Sequence, residues 1–340
     1  MDLALLEQTL SDHDQPRFRA RQVWAWAARG ASDYEQMTDL PSGLRELLAR
    51  ELPFSSLTLG KELRASDGTV KALFATADGR ALEAVLMRYR DPHSGTGGRR
   101  TICVSSQSGC PLTCTFCATG QMKFARNLTV SEILDQALHF RRLDGGVSNC
   151  VFMGMGEPML NIENVLAACE RLPDLGIGHR HTAISTVGWI PGIERLTEQE
   201  MPLRLALSLH AADEALRSQL MPVNDRYPLS DVIESCHAFY ARKRRRVFVE
   251  YVMLNGVNDR YEQALELARV LKPRRAGERS IFKVNLIPYN PTDSPYDGST
   301  RASIAAFRDA LIAHEVPATI RLTRGRDIDA ACGQLTARAA

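Results

Sequence analysis

The chain has 340 residues, 44% of them hydrophobic and 24% charged, with a formal net charge of +2 at pH 7. That apolar content suffices for a full core in one large α/β domain plus a smaller module, which excludes a disordered or fibrous chain. The mildly basic balance permits a nucleic-acid partner without requiring one.

The opening stretch "MDLALLEQTLSDHDQPRFRA" has no basic segment leading into an apolar core, and no uncharged apolar run approaches the length of a membrane span. A cytoplasmic chain with no membrane partner is expected. Amphipathic runs "DLALLEQTL", "RARQVWAWAA" and "SGLRELLARELPF", broken by "HDQP", "RGAS" and "DLPSG", predict a compact helical module over residues 1–56. Its Arg17, Arg19, Arg21 and Arg29 fit solvated helix faces or an RNA-facing patch equally well.

From 57 to 88 short β-rich runs are separated by "SDGT" and "ADGR", and Asp-Gly between such runs signals hairpins, so a small antiparallel sheet is expected. The Gly-rich "RDPHSGTGGRR" that follows reads as a linker, closing this region at 96. Beyond residue 100, apolar runs near 101–106, 149–153, 181–186, 203–209, 246–254, 282–288 and 318–323 alternate with helix-like stretches. That rhythm predicts parallel βα units, with a core over 97–326 and a tail over 327–340. Thr129 and Glu132 in "TVSE" have the spacing of a capping box at the start of the first of these helices.

Of eight cysteines, half fall within fifteen residues, and clustered thiols in a chain this large suggest metal or redox chemistry rather than a disulfide scaffold. Cys110, Cys114 and Cys117 form a C-x3-C-x2-C loop in "GCPLTCTFCATG", directly after the first core strand. Structural zinc asks for four ligands, commonly as paired knuckles, and no second knuckle follows. An iron–sulfur cubane held by three cysteines leaves one iron open to another ligand.

Parallel α/β barrels carry their active sites at the C-terminal ends of the strands, and polar residues recur at those ends here. The second strand ends in "GMGEP", where Gly154 and Gly156 let backbone approach a ligand closely beside Glu157; the third at Ser185; the fourth at "SLH", Ser208 to His210. The sixth runs through "NLIPYN", with Asn285 and Asn290. Taken singly these read as a tight turn, a helix cap or a structural histidine; together they outline a site. Cys150, Cys169 and Cys236 fit small buried hydrophobes.

The C-x3-C spacing, with Phe116 before the last cysteine, resembles the signature of the radical S-adenosylmethionine (SAM) superfamily. More extensively, "QSGCPLTCTFCATGQMKFARNLTVSEI", "GMGEPMLN", "LALSLHA", "LMPVN", "NLIPYNP" and "TRGRDIDAACGQL" resemble the RlmN/Cfr family of RNA adenosine methyltransferases, as does the N-terminal "FRARQVWAWAARGASDYEQMTDLP". The resemblance covers nearly the whole chain, and the tail is more similar to RlmN. It implies a partial (β/α)6 TIM-like radical SAM barrel with an N-terminal helical plus small β accessory domain. It also implies a [4Fe-4S] cluster on Cys110, Cys114 and Cys117, and SAM contacts from Gly156, Glu157, Ser185, Ser208, Leu209, His210 and Asn290.

The implied reaction is methylation of adenosine C2 in 23S rRNA and in tRNA beside the anticodon, or of C8 in the Cfr branch. Adenine C2 is too electron-poor to attack the methyl of SAM, so a thiol serves as relay. By the family mechanism one SAM methylates Cys332, and a second, cleaved to a deoxyadenosyl radical, activates that methyl group. Cys103 then resolves the protein–RNA crosslink by forming a disulfide with Cys332, and Glu83 in "ALEAVLM" is the proton acceptor. An electron donor such as a flavodoxin or ferredoxin, and a monomeric enzyme, complete the expectation. Arg321, Arg324 and Arg326 flank the tail as candidate phosphate contacts; the run "ARKRRR", 241–246, fits RNA contact or a helix end favoured by the dipole. The rival of another class is a non-catalytic RNA-binding protein with structural zinc.

Overall fold

The computed structural model describes residues 1–89, 98–275 and 277–337. Most of the expected linker, including its boundary at 96, lies outside the described residues. Three helices open the chain: α1 (Leu3–Asp12), α2 (Phe18–Arg29) and α3 (Ser42–Glu51). Asp2 caps α1 by accepting from the N–H groups of Ala4 and Leu5, and α2 stops at Gly30, whose φ of 112° suits a residue without a Cβ. Trp24 Nε1 donates to Asp174 Oδ2 at 2.7 Å and Arg142 Nε to the Ala31 carbonyl at 3.1 Å. The buried side chains of the helical module belong to the same apolar cluster as the core.

The antiparallel strands are β1 (Leu57–Arg64), β2 (Val70–Thr76) and β3 (Ala81–Arg88). Gly68 and Gly79 take φ of 82° and 75° in the two Asp-Gly turns, as the sequence requires. Next come β4 (Arg100–Cys103), β5 (Gln107–Ser108), β6 (Arg126–Asn127), α4 (Val130–Asp144), β7 (Asn149–Phe152), α5 (Ile162–Arg171), β8 (Thr182–Thr186) and α6 (Ile190–Glu198). The chain continues through β9 (Arg204–Ser208), α7 (Glu214–Leu220), α8 (Leu229–Lys243), β10 (Val247–Met253), α9 (Tyr261–Leu271), β11 (Phe282–Pro288), α10 (Arg301–Ala313) and β12 (Ala318–Ile320). The capping box at α4 forms, with Thr129 and Glu132 each satisfying the other's backbone.

All seven apolar runs beyond residue 100 are strands, and they pair in parallel in the order β4, β7, β8, β9, β10, β11, β12. Helices bridge each consecutive pair, which gives the six βα units of the expected partial barrel. β3 pairs antiparallel with β4, so the hairpin strands extend the same sheet rather than standing apart from it. β1 and β12 are its two edges, unpaired with each other. Thr101, Ala183, Glu250 and Thr319, from four strands spread across the sheet, line one shared cavity, so the sheet is curled around it.

The registers Lys71↔Val85, Leu73↔Glu83 and Val85↔Cys103 put Lys71, Glu83, Val85 and Cys103 on one face. The other face packs on α4, where Phe74 meets His139 edge-on at 5.1 Å. Among the described residues no helix is long and apolar enough to cross a membrane.

Candidate active site

Cys110, Cys114 and Cys117 occupy the loop between β5 and β6, at the C-terminal side of β4. Gly109, at φ 74°, starts the loop; a Cβ there would lie 2.4 Å from the Lys123 carbonyl oxygen, so only glycine lets the two arms meet. The Cys117 N–H donates to the Cys114 carbonyl at 3.2 Å and Thr115 N–H to the Leu220 carbonyl at 3.0 Å. Burial pushes the Cys110 thiol up to about 12 and raises Cys114 and Cys117; the charge of Cys117 further opposes ionisation of Cys110 and Cys114, and that of Cys332 opposes Cys117. Three such thiols become thiolates only against a cationic centre. Among the described residues no three His, Cys, Asp or Glu side chains are grouped as around one ion. A cubane asks for no such point, because each thiolate binds its own iron.

Above the ends of β7 to β9 lies an open cleft. Gly156, Glu157, Ser185, Ser208 and His210 all line it, with Phe116 and Cys117 from the cysteine loop. Glu157 is 3% exposed, and its carboxyl accepts from the N–H groups of Met159 at 3.1 Å and Val187 at 3.0 Å. Burial nonetheless raises its pKa to about 7. Arg217, fully buried on α7, donates to the Val187 carbonyl at 2.6 Å and steadies that same turn. Ser185 and Ser208 hydroxyls lie 3.3 Å apart.

His210 sits at φ 60°, and its Nδ1 accepts from the Val252 N–H at 3.0 Å. Burial pushes its pKa down to about 3, so the ring is neutral, with Nε2 carrying the hydrogen. Phe116 packs edge-on against it at 4.7 Å.

Gly154 and Gly156 line this cleft, and each has a second reason to lack a side chain. A Cβ on Gly154 would lie 2.7 Å from the Val104 carbonyl oxygen, and one on Gly156 2.5 Å from Gln107 Cβ. Their lack of a side chain lets protein approach protein, not only a ligand.

A second cleft, with about 710 Å³ of empty space, adjoins the first and is lined by Cys103, Cys117, Asn290, Arg321 and Cys332, among others. Cys332 belongs to the walls of both clefts. Burial pushes the Cys103 thiol up to about 12, with Cys332 adding to the effect. Arg321 is raised, first of all by Cys332, and also pairs with Glu250 at 3.2 Å. All eight cysteines are free.

The tail is packed against the site. Ala118 N–H donates to the Gly333 carbonyl at 2.8 Å, Thr119 Oγ1 to the Leu335 carbonyl at 2.6 Å, and Asn290 Nδ2 to the Cys332 carbonyl at 3.1 Å. Asn290 Oδ1 is buried without a partner, an acceptor left for a ligand's donor.

Two residues expected to contact SAM do not line the first cleft, and neither does Glu83, expected as the proton acceptor. Asn290 lines only the second cleft, Leu209 is fully buried behind the strand ends, and Glu83 lines neither cleft but lies under the tail. Asn285 is not at a strand end: it is within β11, donating to Glu250 Oε1 at 2.9 Å in a third cavity, toward the N-terminal ends of the strands. Sequence reading passed over Lys71, Arg217 and Glu250. A carboxylate inside the apolar run "VFVEYVM" was a visible signal for Glu250; Lys71 and Arg217 had none without the partners the fold brings to them.

Residues 104–268 match the model of the radical SAM superfamily, whose members use a [4Fe-4S] cluster and SAM. The chain is therefore a radical SAM enzyme, and its three loop cysteines and the lined cleft fit both groups. Residues 1–52 match the model described as the ribosomal RNA large subunit methyltransferase N-terminal domain. A probable dual-specificity RNA methyltransferase RlmN of Chloroflexus aurantiacus is 44% identical over 99% of this chain and 92% of its own length. The dual-specificity RNA methyltransferase RlmN of Anaeromyxobacter sp. is 42% identical over 99% of this chain and 89% of its own. The crystal structure of a radical SAM methyltransferase from Sphaerobacter thermophilus superposes with a TM-score of 0.90 at 43% identity, covering 99% of this chain and 98% of that one. The chain belongs to the RlmN family of radical SAM RNA methyltransferases, and it is an RNA methyltransferase.

Proposed function

We propose that the enzyme methylates C2 of an adenosine in 23S rRNA and in tRNA beside the anticodon, with Cys332 carrying the methyl group. The observation that supports this most directly is the position of Cys332 in the wall common to two adjoining clefts. A relay atom must face the donor on one side and the acceptor on the other. In this reading the cleft with Glu157, Ser185, Ser208 and His210 takes SAM, and the cleft with Cys103 and Arg321 takes the adenine, which must leave its stack to enter.

Cys110, Cys114 and Cys117 would hold the [4Fe-4S] cluster, which when bound supplies the electron for reductive cleavage of SAM. Glu157 accepts from the SAM ammonium. Arg321, charged beside the Cys332 sulfur, supplies the cation that a nucleophilic thiolate needs. Cys103, whose burial keeps it a thiol, does not compete for the methyl group and is held for the later disulfide with Cys332. Glu83, on the same face of β3 as Val85 of the adenine cleft wall and two residues from it, accepts the proton released from the RNA adduct. RNA reaches the adenine cleft by way of the third cavity, which shares Tyr89, Met153, Arg321 and Leu322 with it and adds Arg204 and Lys283.

Digestion of RNA treated with wild-type and Cys332→Ala enzymes, followed by mass spectrometry against 2-methyl- and 8-methyladenosine standards, tests the reading. The wild type should yield 2-methyladenosine and the variant none. Only 8-methyladenosine would overturn the regiochemistry, and methylation retained by Cys332→Ala would overturn the relay.

A further inference from the structure

We propose that the buried Lys71–Glu83 ion pair is a latch that positions Cys332 by gripping the tail on both sides of it. Lys71 on β2 and Glu83 on β3 are 8% and 2% exposed, with Nζ and Oε1 3.1 Å apart. Desolvating two charges to brace a hairpin has little advantage over apolar residues of the same volume, so the pair invites a second explanation. Both partners also bond the backbone of the tail. Lys71 Nζ donates to the Asp329 carbonyl at 3.2 Å, and the Thr336 N–H donates to Glu83 Oε2 at 3.0 Å.

Those two backbone groups belong to residues three before and four after Cys332. The segment between them is held from the opposite side by Ala118 and Asn290, through the carbonyls of Gly333 and Cys332. Cys332 is thus suspended between the sheet extension and the cysteine loop. Lys71 lines neither cleft, so it acts on the reaction through the tail and is a positioning residue. The inference rests on the proposed relay only in making the position of Cys332 matter to methyl transfer. It stands beside proton acceptance by Glu83 rather than replacing it.

Amide hydrogen exchange on the full-length, cluster-reconstituted enzyme tests it, with wild type compared with Lys71→Met and Thr336→Pro. The second variant removes the N–H that reaches Glu83 and leaves the buried pair intact. In both, peptides covering 327–337 should exchange about tenfold faster, the effect of losing one charge-assisted hydrogen bond from a locally opening segment. In Thr336→Pro the β2 and β3 peptides should keep wild-type rates.

Wild-type exchange of the tail in Thr336→Pro overturns the latch, as does Lys71→Met loosening β2 and β3 while the tail stays protected. If Lys71→Met does not fold, Thr336→Pro decides alone. The mass of the peptide carrying Cys332 separates the two ideas: its lack of a methyl group in active wild-type enzyme would sink the relay and leave the latch standing.

Discussion

Glu157 is an acid in a nearly dry place that the proposed SAM contact asks to be an anion. Burial raises its pKa to about 7 from an ordinary 4.5, against the opposing pull of two backbone N–H groups. The folded chain therefore holds that proton more tightly than the unfolded chain does. Stability without ligand should fall as pH rises from about 4.5 to about 7, by about 3 kcal/mol for this group alone. Urea unfolding of the cluster-free protein across that window should show the decline, and Glu157→Gln should flatten the difference. SAM binding should run the other way, weakening below pH 7 in wild type, because the ammonium of SAM pairs with the ionised carboxylate; calorimetric titration of the reconstituted enzyme at pH 6 and 8 measures it. The pattern "GMGEP" marks this glutamate as a candidate, but its protonation balance depends first on burial and then on Val187, which only folding brings to it.

At the scale of elements, the strand ends explain why sequence reading brought together residues that line one cleft. Strand period and chain order fix which residues stand at the top of a parallel strand, so Glu157, Ser185, Ser208 and His210 could be placed without any contact being known. Glycine reasoning was less secure. "GMG" suggested a ligand pressed against backbone, whereas Gly154 makes room for the Val104 carbonyl on the neighbouring β4 side. Gly154→Ala should therefore destabilise the protein whether or not SAM is present, by about 3 kcal/mol, as forced overpacking of a buried position does. A thermal melt of the ligand-free variant checks this; an unchanged midpoint with lost SAM affinity would return the glycine to its ligand role. The hairpin strands were legible from Asp-Gly, yet their fusion to β4 was not, since pairing between distant strands is set by which edges are left open.

For the whole molecule, the curled sheet leaves a cavity toward the N-terminal ends of its strands that adjoins the cleft proposed for adenine, and Arg204 and Lys283 line it. Arg204 and Lys283 stand near the starts of β9 and β11, away from the strand ends that outlined the site, so only the fold shows that they face one cavity. If RNA phosphates pass here, the double variant Arg204→Ala/Lys283→Ala should bind RNA more weakly and flatten the slope of log affinity against log salt by about 2. Fluorescence anisotropy with a short RNA hairpin at several salt concentrations reads that slope directly, and an unchanged slope would move the RNA path elsewhere.

Taken alone, the sequence determined the local and periodic features: three amphipathic helices, two Asp-Gly turns, seven strands in βα rhythm, and a cysteine loop whose spacing declares its chemistry. These follow from nearest neighbours and helix or strand period, which a linear chain displays. The tertiary structure decided everything that joins distant segments. It set Cys332 between two clefts and Arg321 beside its sulfur, and it drew the tail onto Lys71 and Glu83 across more than 250 residues of chain. Such contacts depend on which face of which strand meets the tail, and that is fixed only when the sheet has chosen its register and its curl.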